Sequence, residues 1–302
     1  MIPEVSIIIP TCNRRHFLEQ SLQSALSQNF ESFEIVVVDN ASTDSTKRFL
    51  GSIQEPKVRV FEQSRRVSMQ ENIWQALQHA YGEFSVVLCD DDLLNSEFLA
   101  HGIKALHAQV DPFFFTAAYN HIDSEGDPIR LRKSVPEGGV YRDPHMFASR
   151  NRAALSATLF PTKAVRDIGF VDNIFFDWAW WNSLCLSGLG VCVSSSPLAS
   201  YRIHRLSMQV SDFEYAEATR DMCHFLANRY GSFKQLDLLL KTAETKRLYW
   251  ESRHDPSQLL PFVAYGCTHW SPQTLKLLLM RCLPLDTVNF LRHMLRPQTF
   301  IG

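Results

Sequence analysis

No stretch of this 302-residue chain stays apolar for the ~20 residues that a membrane-spanning helix needs. No helical span is therefore expected. Cysteine is sparse and unpatterned. The seven residues include no CxxC pair, which argues against a zinc site or a disulfide framework and for free thiols in a reducing compartment. There is no basic excess: 30 Lys and Arg against 32 Asp and Glu leave a formal net charge of −2. A global field for nucleic acid is thus excluded. Met1-Ile2-Pro3-Glu4 carries neither a basic n-region nor an apolar h-region, so no signal peptide is expected. Internal repeats and low-complexity linkers are missing too. What remains is 45% hydrophobic and 21% charged, the composition of a globular cytoplasmic protein with one large domain, or one domain and an appendage.

The N-terminal third alternates regularly. Val5-Ser6-Ile7-Ile8-Ile9 is β-branched and almost wholly apolar, as a strand covered on both faces is. Phe17, Leu18, Leu22, Ala25 and Leu26 then recur at helical spacing to about Gln28. Phe33 to Val38 reads as a second strand ending in Asp39-Asn40. A helix is expected from near Asp44 to about Ile53, and a short strand over Val58 to Glu62. Residues 68–80 read as a helix, with Gly82 placed to end it as a C′ glycine. Such β-α-β-α-β alternation predicts a doubly wound parallel sheet with its ligands at the carboxyl ends of the strands. Thr11, Asp39 and Asp90 all stand at such ends.

The last of these ends is the most informative. Phe84 to Leu88 is an apolar run that leads straight into Cys89-Asp90-Asp91-Asp92. Adjacent carboxylates repel, so a strand end holds three of them only with a cation nearby or with full solvation. A divalent ion bridging to a substrate phosphate satisfies the first condition, since Mg²⁺ and Mn²⁺ favour carboxylate and phosphate oxygens. A solvated acidic turn satisfies the second.

Beyond the cluster the pattern loosens. Glu97 to Ala108 reads as a helix, and Phe113 to Tyr119 as an apolar strand. Residues 129–150 lack periodicity and carry Arg130, Arg132, Lys133, Arg142 and Arg150, as either a solvated basic loop or an acceptor-facing one. Ala154 to Phe160 reads as a strand. Asp177 sits among Phe175, Phe176, Trp178, Trp180 and Trp181. A carboxylate there would be desolvated and made more basic, unless it merely caps a helix. The aromatic cluster is core for the most part, with Trp178 and Trp181 open as sugar-stacking candidates. From about Asp212 strand signals cease. Residues 213–230, 232–251, 256–266 and 272–295 read as helices. The last of them interleaves leucines such as Leu275, Leu278, Leu283, Leu291 and Leu295 with Lys276, Arg281, Arg292 and Arg296. That pattern suits helices packed on a catalytic domain, a lid, a dimer contact or a peripheral membrane surface.

Four segments, VSIIIPTCNR, EIVVVDNASTDST, ENIWQALQHAYGEF and LCDDDLL, occur in this order over about residues 4–100. Together they resemble the nucleotide-binding half of family 2 glycosyltransferases. The resemblance implies a GT-A type α/β fold, with a doubly wound, mostly parallel, Rossmann-like sheet and a C-terminal helical segment. It implies a catalytic domain over 1–211, split into a nucleotide-sugar-binding half (1–110) and an acceptor-binding half (111–211), followed by a helical region over 212–302. Two departures stand out: Cys12 where the family often has a Tyr to stack on the base, and Asn40 where a second Asp is frequent. The later Tyr201-Arg202-Ile203-His204-Arg205-Leu206-Ser207 resembles the family's YRxHxxS ending.

Carried over residue by residue, the resemblance implies donor binding by Pro10, Thr11, Asn13, Arg14, Asp39, Asn72, Asp90, Asp91 and Arg202. It implies Mn²⁺ or Mg²⁺ on Asp91, Asp92 and His204, with the register inside the triplet open and His204 either a metal or diphosphate contact or a structural residue. Asp177 would be the base of an inverting transfer from a nucleoside-diphosphate sugar, UDP- or dTDP-linked, to a hydroxyl of a saccharide or lipid-linked saccharide. The expected setting is polysaccharide or glycoconjugate assembly in the cytoplasm or at the inner face of the membrane. Two rivals accompany this reading. One is a catalytically inactive scaffold of the same fold. The other is a nucleotidyltransferase, which Pro10-Thr11-Cys12-Asn13 disfavours because it lacks a glycine-rich phosphate loop.

Overall fold

A computed structural model describes residues 2–132, 137–204, 210–269, 276, 277, 280 and 281. The chain divides into two compact units, residues 1–207 and 208–302.

The first unit begins as the alternation predicts. Strands β1 (Val5–Thr11), β2 (Phe33–Asp39), β3 (Val58–Glu62) and β4 (Phe84–Val87) are separated by helices α1 (Arg15–Leu26), α2 (Thr46–Leu50) and α3 (Met69–Gln78). The two-residue β5 (Leu93–Leu94) and helix α4 (Phe98–His107) come next. Strands β6 (Phe113–Ile122), β7 (Pro128–Arg132), β8 (Gly139–Tyr141) and β9 (Thr158–Pro161) follow, then helices α5 (Thr162–Ile168) and α6 (Phe176–Leu186) and strand β10 (Gly190–Arg202). All ten strands form one sheet in the order β3-β2-β1-β4-β9-β6-β10-β5, with β7 added on β6 and β8 on β10. The pairs β3–β2–β1–β4 and β6–β10 are parallel. Strands β5, β7, β8 and β9 run antiparallel to their partners.

Both faces of the parallel half are covered, which is why its strands read as continuous apolar runs. Val5, Ile7, Ile9, Ile35 and Val37 pack in one core with Leu18, Leu22 and Ala25 of α1 and with Phe98, Leu99 and Ile103 of α4. The alternate residues Ile8, Val36 and Val38 are equally buried on the face where α3 lies against β1 and β2. A second set of large side chains surrounds α6. Trp178, Trp180 and Trp181 are all at most 1% exposed, and Trp181 stacks on Phe114 with ring centroids 5.9 Å apart. Burying each such side chain is worth about 1.5–3 kcal/mol. The open question over Trp178 and Trp181 closes on core, since no ring face is left for a sugar.

The departures from the sequence expectations have local causes. Helix α2 is only five residues long; Asp44 stays outside it and accepts a hydrogen bond from the Thr46 N–H. The expected strand over 154–160 is shortened. Residues 155–157 form a 3₁₀ turn because the Ala157 N–H closes on the Ala154 carbonyl. Strand β7 does alternate, Ile129 and Leu131 with Arg130 and Arg132, against the reading of residues 129–150 as lacking periodicity; β8 is only three residues long, and the side chains of both are exposed or half-buried on the edges of the sheet.

Helices α7 (Asp212–Tyr230), α8 (Lys234–His254) and α9 (Leu259–Thr268) form the second unit. Ser211 opens α7 with a reciprocal capping box to Glu214, an arrangement that satisfies two backbone donors. Leu248, Tyr249, Phe262 and Leu277 make its core. Arg281 donates to the Ser252 carbonyl at 2.7 Å. Leu275, Leu278, Leu283, Leu291, Leu295, Arg292 and Arg296 lie outside the described residues. No described helix is long and apolar enough to cross a membrane.

Gly82 corrects one reading. It is not a left-handed helix terminator: α3 ends at Gln78, and Gly82 is not among the glycines with positive φ. It is needed for close approach. A Cβ there would meet Ser6 N at 2.5 Å, Val5 C at 2.7 Å and Phe84 O at 2.8 Å, all of them backbone. Gly82→Ala is therefore expected to destabilise the first unit by about 1–3 kcal/mol through overpacking, read as a lower urea midpoint at unchanged slope.

Candidate functional site

Parallel registry brings the predicted strand ends together. Thr11 stands opposite Asp39, and β1 also pairs with β4, whose chain runs on into the acidic cluster. The Thr11 hydroxyl donates to Asp90 Oδ2 at 2.7 Å. Arg14 Nη1 bridges Asp90 Oδ1 at 3.2 Å and Asp91 Oδ2 at 2.8 Å. His204 Nε2 lies 3.0 Å from that same Asp91 oxygen. Asp92, 1% exposed, accepts from the Ser156 hydroxyl at 2.6 Å on one oxygen and from the Arg202 backbone N–H at 2.9 Å on the other.

Burial dominates the electrostatics of the cluster. It pushes the Asp90 carboxyl up to about 6 against the pull of Arg14. Asp92 is raised as well, by burial first and by the neighbouring Asp91 second. Carboxylates held this way favour a proton or a metal ion over bare charge. One ligand atom from each of Cys89, Asp91 and Asp92 falls within 4.8 Å of the others. The thiol is the weak member, because burial and then Asp92 and Asp91 raise Cys89 well above the ordinary value. A thiol is also a soft ligand, less suited than a carboxylate to Mg²⁺ or Mn²⁺. The fit is therefore to a hard divalent ion on Asp91 and Asp92, with His204 adjacent.

Several predicted donor-binding residues turn out to cross-link the loops. Asn13, in the left-handed region at φ 55°, accepts on its side-chain oxygen from the N–H groups of Thr43 at 2.7 Å and Asp44 at 3.3 Å. Asn72 donates to the Val38 carbonyl and accepts from Gln63. Asp39 is occupied by the hydroxyl and the N–H of Ser42. Pro10 lies within β1 opposite Val38, past the last residue paired with β4. Arg202 is 1% exposed. Its guanidinium donates to the carbonyls of Asp91, Asp123 and Ser124 and to the side chain of Gln20, so it holds the cluster from behind. Of the YRxHxxS-like ending, Ser207 lies outside the described residues.

Asp177 occupies the first turn of α6, where the helix dipole favours a carboxylate. Its two oxygens accept from the Trp178 N–H at 2.7 Å and from Asn151 Nδ2 at 2.8 Å. It keeps some accessible surface, yet packed atoms surround it and desolvation pushes it up to about 6.

Sequence reasoning missed Asn151, Ser156, Gln20 and Asn40. The first two sit at opposite ends of one short segment, with Asn151 on Asp177 and Ser156 on Asp92, so residues 151–156 tie the two acidic positions together. No motif marks them. Asn40 had a signal, its departure from the usual Asp. Its amide donates to the Val67 carbonyl at 2.9 Å and accepts from the Val67 N–H at 2.8 Å. A carboxylate, which only accepts, cannot make that two-way bridge. Cys12, the other departure, directs its thiol to the Asn40 carbonyl at 3.2 Å.

The sequence pattern of Glycosyl transferase family 2 matches residues 6–168. A curated relative, the putative teichuronic acid biosynthesis glycosyltransferase TuaG of Bacillus subtilis, is 26% identical over 72% of this chain and 86% of its own length. The GalNAc(5)-diNAcBac-PP-undecaprenol beta-1,3-glucosyltransferase of Campylobacter jejuni is 35% identical, over 33% of each chain. Among solved structures, S. aureus TarS 1–349 in complex with UDP-GlcNAc superimposes with a TM-score of 0.66 at 16% identity, covering 96% of this chain and 87% of that one. The mannosyltransferase PcManGT from Pyrobaculum calidifontis, in complex with GDP-Man and Mn²⁺, gives 0.57 at 18% identity, over 97% and 81%. The chain belongs to glycosyl transferase family 2 and is a glycosyltransferase of GT-A fold.

Proposed function

We propose that this protein moves a sugar from a nucleoside diphosphate, UDP or dTDP, to an acceptor hydroxyl with inversion, and that it serves surface-polysaccharide or glycoconjugate assembly at the cytoplasmic side of the membrane. One observation carries the reading: three adjacent carboxylates bracketed by Arg14 and His204, of which Asp90 and Asp92 are buried and raised by desolvation, are tied through residues 151–156 to another raised carboxylate, Asp177. The names of the relatives, teichuronic acid biosynthesis and glucosyl transfer onto a diphosphoundecaprenol-linked saccharide, support the setting. The nucleotide sugars and the Mn²⁺ named for the structural neighbours support the donor class and the metal.

In this mechanism the first βα turn and the ends of β1 and β2 hold the nucleoside. Asp39 faces the base, and Thr11 and Arg14 flank the diphosphate. Asp91 and Asp92, with His204, would hold Mn²⁺ or Mg²⁺, which when bound neutralises the leaving diphosphate as a Lewis acid. Asn13, Asn40, Asn72 and Arg202 act by fixing the loops that carry these groups. Asp177 takes the proton of the attacking hydroxyl. A single displacement with one base inverts the anomeric centre, so an α-linked donor gives a β-linked product.

Three outcomes test this. Asp177→Asn should lower transfer by about 10²–10⁴-fold, the usual contribution of one general base, while nucleotide binding persists. An equal loss of binding would sink the assignment of Asp177 as base. Calorimetric titration of UDP, dTDP and GDP should show binding of one nucleotide with Mn²⁺ that EDTA abolishes and that Asp91→Ala and Asp92→Ala each weaken; unchanged binding in both variants would remove the metal from these residues. The third outcome is a pH profile. A base works ionised, and Asp177 ionises at about 6, so kcat/KM should fall about tenfold per unit below that pH and level off above it. Asn151 donates to the ionised form, so Asn151→Ala should move the acid limb upward.

A further inference from the structure

On β6, Tyr119 and His121 point to the same face of the sheet, two residues apart. Registry sets Arg132 of β7 opposite Tyr119, and Arg130 of β7 opposite His121. On the other side of β6, Tyr201 of β10 is opposite His121. The result is a cross-strand patch of three rings and two guanidinium groups. The centroids of His121 lie 5.7 Å from those of Tyr119 and 5.6 Å from those of Tyr201, and Tyr119 and Tyr201 are 6.3 Å apart. Tyr201 remains 39% exposed. His121 Nδ1 is buried and has no hydrogen-bond partner, which is costly unless something supplies one.

The patch adjoins the acidic cluster. The Tyr201 phenol is raised by burial first and then by Asp92, and the Tyr119 phenol is raised by burial first, against the pull of Arg132, to which it is hydrogen-bonded, with Asp92 a lesser cause. His121 is held neutral at pH 7: burial and the two arginines pull it down to about 4. The nearest acids on the hairpin itself are at its turn. Among them, Asp123 is committed to the N–H groups of Glu125 and Asp127. The surface thus offers apolar ring area and two fixed positive charges, one strand away from where the donor would react.

We propose that the patch formed by Tyr119, His121, Tyr201, Arg130 and Arg132 is the acceptor subsite, and that it selects a saccharide bearing an anionic group. The rings take the face of a sugar. Arg130 and Arg132 take a phosphate or a carboxylate, both of which match the guanidinium fork. The inference rests on the glycosyl-transfer reading above and deepens it by naming the class of acceptor. A phosphate next to the sugar and a uronate carboxyl share this chemistry, and the test separates them.

The full chain is first saturated with Mn²⁺ and whichever of UDP, dTDP or GDP binds, which blocks the donor site. N-acetylglucosamine 1-phosphate, methyl glucuronide and neutral methyl glucoside are then titrated against it. At least one anionic sugar should bind ten times or more tightly than the neutral glycoside, and the tighter of the two names the anion. In Arg130→Gln/Arg132→Gln that preference should disappear while the nucleotide titration stays as in the wild type, a result that also shows the variant is folded. Tyr201→Ala should weaken all three sugars alike. Equal binding of charged and neutral sugars by the wild type, or an undiminished preference in the double variant, overturns the proposal. Failure of every nucleotide to bind is a different result. It strikes the glycosyl-transfer reading, and the charge preference can still be measured without it.

Discussion

Three consecutive carboxylates at the end of a strand, two of them buried, are the constraint that the rest of the first unit answers to. Left alone, Asp90 and Asp92 would destabilise the fold by several kcal/mol each, because water that solvated them is gone. Five separate elements supply the compensation. Thr11 comes from the end of β1, Arg14 from the loop before α1, Ser156 from the 3₁₀ turn, Arg202 from β10 and His204 from just beyond it. Each is far from the cluster in sequence. The cluster is thus the point where the parallel half and the mixed half of the sheet are joined electrostatically as well as by strand pairing. Even with these partners its carboxyls remain raised, so the fold stops short of neutralising them. That remaining demand for positive charge is what a divalent ion would meet, and its residual charge would then be free to hold a diphosphate.

Cys89 bears on which ion that is. A thiolate would tilt the set toward soft metals such as zinc. Here burial first, and then Asp92 and Asp91, raise the thiol well above its ordinary value, while its backbone N–H donates to Ser156 and its carbonyl accepts from Ser21. The residue acts through its main chain, and the donors left for a metal are oxygens and one imidazole.

How much of this could be read beforehand depended on whether a signal was local. Strands β1, β2 and β4 were legible because a strand buried on both faces must be apolar throughout. Asp39, the Asp90–Asp92 triplet and Asp177 were legible as residues because charge at such places needs a reason. Strands β7 and β8 were not, since they are short and exposed: Ile129 and Leu131 alternate with Arg130 and Arg132 over only four residues, and β8 has three. Ser156 and Asn151 were invisible because a single hydroxyl or amide has no period and no spacing; only the fold shows that they face Asp92 and Asp177. Arg202 was legible as important, but its part was not. A motif marks the residue, and only burial tells a side chain that grips backbone carbonyls from one that reaches for a ligand.

The loop cross-links show why those two kinds of residue look alike in sequence. A donor site built on three loops is useful only if the loops are rigid before the substrate arrives, since ordering them on binding would subtract from affinity. Asn13 ties the first loop to the second, Asn40 ties the second to the segment after β3, and Asn72 ties that segment to β2. Each uses an amide to satisfy backbone groups that water would otherwise take. At Asn40 and Asn72, which both donate and accept, an acid or an apolar group would leave a donor or an acceptor unmatched, whereas Asn13 serves through its side-chain oxygen. The asparagines and the aspartates of the site are therefore complementary. The amides bridge donors and acceptors, whereas the carboxylates only accept: Asp39 from Ser42, Asp90 from Thr11, and Asp92 from Ser156 and Arg202.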